Sequence, residues 1–116
     1  MVLEIDYEPK VRPPRIGVYT ECLPDTKRRF HELCWRSGAE IAMETPNRVL
    51  LREGTDFIFF TKSAPSCHPE GMLFDQWLVD SECLSGAVPY RIWDEMVWSL
   101  RLSSVPEDYR IRYTKM

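Results

Sequence analysis

Three groups of residues in this 116-residue chain are of types that do chemistry. The first is Asp80-Ser81-Glu82, which follows the apolar run Phe74 to Val79. A carboxylate fixed at the end of a strand holds magnesium through water, and a second one nearby orients an attacking water. The second is Cys67-His68 in a segment rich in proline, with Asp75, Asp80 or Glu82 as acids that would orient an imidazole. A thiolate needs an imidazole close by, yet neighbours in an extended chain point in opposite directions, so His68 is a poor partner for Cys67. The third is metal ligation. Cys22, Cys34, Cys67 and Cys83 are widely spaced and contain no C-x-x-C, whereas closed zinc sites are built mostly from paired ligands. His31 and Cys34 form an H-x-x-C, and with Cys67 and His68 they are the zinc candidates. Free cysteines behave mostly as small buried hydrophobes, so four reduced thiols and no cofactor are expected.

The stretch from Gly71 to Glu82 resembles the Walker-B region of P-loop helicases and phage terminase-type packaging ATPases. There a glycine precedes an aspartate that opens a hydrophobic strand, and the strand delivers an Asp-Glu pair. The resemblance covers residues 15 to 85 and implies that Asp80 is the acid on the magnesium side and Glu82 the water-polarising one. The chain departs from that pattern twice. Ser81 separates the two acids, and no G-x-x-x-x-G-K-[ST] supplies a backbone cradle and lysine for the phosphates. A working ATPase is therefore not expected. A degenerate or partner-completed nucleotide- or nucleic-acid-binding domain remains the alternative, with a Cys/His-dependent hydrolase behind it.

Binding needs less machinery. Lys27, Arg28, Arg29 and Arg36 crowd one segment, and Tyr109, Arg110, Arg112, Tyr113 and Lys115 another, so nucleic acid would meet either the basic helix 27–36 or the tail 110–115. The net charge of -3 argues for protein instead. Of the 4 tryptophans, Trp35 and Trp98 fall beside the apolar stripes of their helices, which makes them surface anchors for a partner or for a second copy of the chain. Arg36, Tyr109, Arg110, Arg112 and Tyr113 complete the expected partner surface. The short, Trp-rich format and the Walker-B likeness imply a non-catalytic accessory or inhibitor protein of a phage or mobile element, one that blocks a larger machine sterically.

These residues need elements to position them. Hydrophobic residues at 44% and charged residues at 28% suit one globular α/β or α+β domain, residues 15–116, behind an extended arm, residues 1–14, that carries Pro9, Pro13 and Pro14. Arg15 to Thr20 reads as a buried strand. Asp25 reads as the N-cap of a helix over 26–37, with Phe30, Leu33 and Cys34 on its inner face and Gly38 closing it. Runs 48–52 and 56–61 around Glu53-Gly54-Thr55 read as a hairpin, and 74–79 as a central strand. Pro89 opens a second helix over 89–102, with a stripe of Trp93, Val97 and Leu100 widened by Ile92 and Met96. Alternation around Tyr109, Ile111 and Tyr113 predicts an edge strand. The sum is a mixed sheet of four to five strands with two main helices. No apolar run reaches the ~20 residues of a membrane span, and no basic leader precedes one, so a cytoplasmic, membrane-free protein is expected.

Overall fold

The computed structural model describes residues 13–61 and 72–115. Strand β1 (Arg15–Thr20) leads into helix α1 (Leu23–Ser37), then β2 (Ile41–Thr45), β3 (Arg48–Leu51), β4 (Asp56–Thr61) and β5 (Gln76–Asp80). Helix α2 (Tyr90–Ser99) and a single 3-10 turn (Glu107–Tyr109) precede β6 (Ile111–Thr114). The strands form one sheet in the order β2-β3-β4-β1-β5-β6. β1 runs parallel to both β4 and β5, and β5 parallel to β6, while β2-β3-β4 is an antiparallel meander. Most of the expected arm lies outside the described residues, and among those described no helix is long and apolar enough to cross a membrane.

Side chains alternate across a strand, and that alternation separates the two halves of the core. Val18 and Phe59 project towards α1, where Phe30 and Cys34 meet them together with Val49 and Leu51. Tyr19, Phe60, Trp77 and Val79 project the other way, against Met96 of α2 and Leu100 at its C-cap. The helices thus cover opposite faces, giving an α/β/α sandwich. This explains why β1, β4 and β5 read as unbroken apolar runs: strands covered on both sides have no wet face.

Gly17 is fixed by packing. A Cβ there would stand 2.6 Å from the ring atoms of Trp77, which lies across β1. Trp77 is fully buried, donates its indole N–H to Ser99 Oγ at 2.8 Å, and packs on Phe74 and Phe60 at centroid distances of 4.8 and 5.2 Å.

Several elements depart from the sequence-based expectation. The sheet gains β2, whose residues beyond Ile41 are exposed and include helix-favouring Ala42, Met43 and Glu44. Helix α1 starts before Thr26: Cys22 is its N-cap, Pro24 fits its first turn, and Asp25 lies inside that turn. Its end is as expected. Gly38, at φ 78°, and Ala39 donate their N–H groups to Trp35 and Cys34 at 3.4 and 3.0 Å, the paired bonds of a Schellman close. Leu33, expected on the inner face of α1, is exposed. Helix α2 is shorter than 89–102, with Pro89 just outside it, and of its expected stripe Val97 faces solvent while Met96 and Leu100 are buried.

Candidate functional site

In an open α/β sheet, ligands favour the crevice at the carboxyl ends of strands where successive connections leave in opposite directions. Here that point lies between β1 and β5. The chain leaves β1 through α1 towards one edge, and leaves β5 through α2 towards the other. Thr20, Glu21 and Cys22 therefore face Asp80, Ser81, Glu82 and Cys83.

Asp80 is the hub of this end. It is 0% exposed and accepts hydrogen bonds from Arg29 Nη2 at 2.9 Å, Arg29 Nη1 at 3.3 Å, the Glu82 N–H at 3.1 Å and the Thr26 hydroxyl. Thr26 Oγ1 lies 2.7 Å from Thr20 Oγ1, which in turn accepts the Cys22 N–H at 3.0 Å. Burial alone would push the Asp80 carboxyl up. The Arg29 guanidinium, the Thr26 hydroxyl and the Glu82 N–H outweigh it and hold the group below the usual carboxylate range. The strand ends at Asp80, and the turn that follows leaves Glu82 exposed, its carboxylate 4.0 Å from Arg29 Nη1. Asp80 and Glu82 are thus both near Arg29, but one is sealed beneath the helix and the other is wet.

Two thiols lie beside this network. Cys22 Sγ is 3.3 Å from Asp25 Oδ2, and Arg29 Nη2 donates to Cys83 Sγ at 3.2 Å. The Asp25 N–H favours the Cys22 thiolate. The Asp25 carboxylate, partial burial and the neighbouring Cys83 outweigh that and push the thiol up. The zinc candidates fare differently. His31 Nε2 points outward to Glu44 Oε1 at 2.9 Å, while Cys34 is buried against the sheet, where desolvation pushes its thiol up. Cys67 and His68 lie outside the described residues.

The expected partner residues are split between layers. Trp35 is 86% exposed beside Arg36 at the end of α1, and Trp98 is 64% exposed on α2, on the opposite face of the sheet. Tyr90, Val97 and Trp98, at i, i+7 and i+8, share the side of α2 turned away from Met96; Tyr90 is 79% and Val97 49% exposed, and Leu102 just beyond the helix is 74% exposed. Arg101 stacks on Trp98 at 4.3 Å. Beside Val97 runs a groove of about 300 Å³ lined by Trp93, Val97, Leu100, Glu107, Arg110 and Ile111. Tyr109 and Tyr113 are exposed along the adjoining β6 side. Arg110 is committed to the fold, donating to Val105 and Ser103 carbonyls at 2.7 and 3.2 Å. Arg112 lines a different groove, on the α1 face, with Phe30, Cys34 and Leu78.

Three of the basic residues of α1 are paired with acids, one on the helix itself and two on neighbouring strands. Lys27 Nζ meets Glu44 at 2.8 Å, Arg28 meets Asp25 at 3.5 Å, and Arg29 is held by Asp80. Burial would raise the Glu44 carboxyl, but Lys27 and His31 hold it low. Tyr90 and Leu102 were missed from the sequence. Their exposure is legible only once the inward side is assigned to Ile92, Trp93, Met96 and Leu100, since Tyr90 and Leu102 are set among the charged residues Arg91, Asp94 and Arg101. The chain matches no protein-family model, no curated protein and no solved structure at a significant level.

Proposed function

We propose that this chain is a non-catalytic binding module of the cytoplasm that engages a protein partner through the outward face of α2 and the adjoining edge of β6. The observation that carries the reading is the exposure of Tyr90, Val97 and Trp98 on α2 and of Leu102 just beyond its end. Trp, Tyr and Arg dominate binding energy when a partner buries them. Trp98, already stacked by Arg101, is the anchor. Strand β6, across the groove from Val97, ends the sheet, so its outer backbone groups are open to pairing. A protein partner is favoured over nucleic acid because Lys27, Arg28 and Arg29 are matched by Glu44, Asp25 and Asp80. A nucleotide site at Asp80 is disfavoured because its oxygens are already taken by Arg29, Thr26 and the Glu82 N–H. The mode of action is steric: the module covers its partner's surface, as an accessory or inhibitor protein would.

The test is a three-way capture from a lysate of the source cell with wild type, Tyr90→Ala/Trp98→Ala and Trp35→Ala as bait, after light scattering of each alone. A protein held stoichiometrically by wild type and Trp35→Ala and lost by the double variant is expected. Self-association abolished by the double variant makes a second copy the partner. Equal retention by all three baits, or recovery of nucleic acid alone, overturns the reading.

A further inference from the structure

We propose that Cys22, Asp25 and Cys83 form a binding site for a thiophilic divalent cation of the zinc class. Among the described residues they are the group of His, Cys, Asp or Glu side chains that converges: their ligand atoms all lie within 4.8 Å of one another. A tetrahedral zinc with Zn–S of about 2.3 Å and Zn–O of about 2.1 Å sets ligand atoms roughly 3.5 to 3.8 Å apart, so small side-chain rotations close the triangle. Three protein ligands leave the fourth position to water or an incoming group.

The scaffold around the triangle is built. Cys22 caps α1, Asp25 is in its first turn, and Cys83 is in the turn after β5. The two strand ends that carry them are tied together by the Asp80 network and by Glu21, whose Oε1 accepts the Ser85 N–H at 3.2 Å and its hydroxyl at 2.7 Å. Charge also favours a cation. Asp25 sits among Glu21, Asp80 and Glu82, against Arg29 and the exposed Arg28. Arg29 Nη2, donating to Cys83 Sγ, supplies the outer hydrogen bond that stabilises a ligating thiolate. On binding, each thiol gives its proton to solvent and forms one S–metal bond, so two protons leave per cation.

The test is a cobalt(II) titration of the reduced full chain under anaerobic conditions. One cobalt per chain with sulfur-to-cobalt charge-transfer absorption in the near ultraviolet is expected. Cys22→Ser and Cys83→Ser should each abolish that absorption, Asp25→Asn should weaken binding about tenfold or more, and Cys34→Ser and Cys67→Ser should leave it unchanged. Absence of the absorption, its survival in both Cys22→Ser and Cys83→Ser, or its loss in Cys67→Ser overturns the proposal. Should Cys22→Ser fail to fold, Cys83→Ser in the partly exposed turn decides, read by circular dichroism and by the zinc-induced rise in Tm, which wild type should show and Cys83→Ser should lack.

Discussion

Arg29 and Asp80 are the pair whose loss is expected to cost most. Removing one partner of a buried ion pair strands the other without water, at about 3–5 kcal/mol. Arg29→Ala should therefore lower the urea midpoint strongly, whereas a surface change such as Arg36→Ala should not. The pair also sets a pH dependence. The folded Asp80 carboxyl titrates below its unfolded value, so its contribution is fully present above the ordinary carboxylate range and is lost as pH falls through the depressed folded value. Urea unfolding from neutral pH to acid should show that loss in wild type and a flatter profile in Asp80→Asn. Tyr19 lies at the other extreme. Its buried hydroxyl meets no partner among the described residues, and burial, with Glu21 adding, pushes it up to about 12. An unsatisfied buried hydroxyl costs about 1–3 kcal/mol, so Tyr19→Phe should leave the Tm unchanged or raise it.

At the scale of elements, the close approach of Trp77 to β1 is the most demanding feature. Gly17→Ala forces the ring or the strand to move, and overpacking of this kind costs about 1–3 kcal/mol. A lower denaturation midpoint with altered near-ultraviolet circular dichroism of the Trp77 cluster is the expected outcome. The elements legible in the sequence were those with strong local punctuation. The Gly38 close of α1, the Gly54 turn between β3 and β4, and the β-branched and aromatic runs of β1 and β4 each carry their own signal. β2 does not, because an exposed edge strand with helix-favouring residues is held by pairing with β3 and by the Lys27–Glu44 and His31–Glu44 contacts to α1. The start of α1 was misplaced because Asp25 is a good N-cap by type, while Pro24 fits the first turn better.

At the scale of the whole molecule, the sheet order brings together residues the sequence keeps far apart. Cys22 and Cys83 converge, as do Arg29 and Asp80, only because β1 and β5 are neighbours with β4 on the other flank. Neither pairing has a local signature, whereas His31 and Cys34 have the i, i+3 spacing of a ligand pair and yet point apart, one to Glu44 and the other into the core. Trp35 and Trp98 were legible as exposed but not as lying on opposite layers, so a single partner surface cannot be built from both. The surface left by α2 and β6 is the one with several adjacent anchors, and it carries the functional reading. The most direct measurement is the affinity of the captured partner for wild type, Trp98→Ala and Trp35→Ala by titration calorimetry. Loss of an anchor worth at least ~2 kcal/mol, about 30-fold in Kd, is expected for Trp98→Ala, with Trp35→Ala close to wild type. Equal affinity of wild type and Trp98→Ala, or a selective loss in Trp35→Ala, would contradict it.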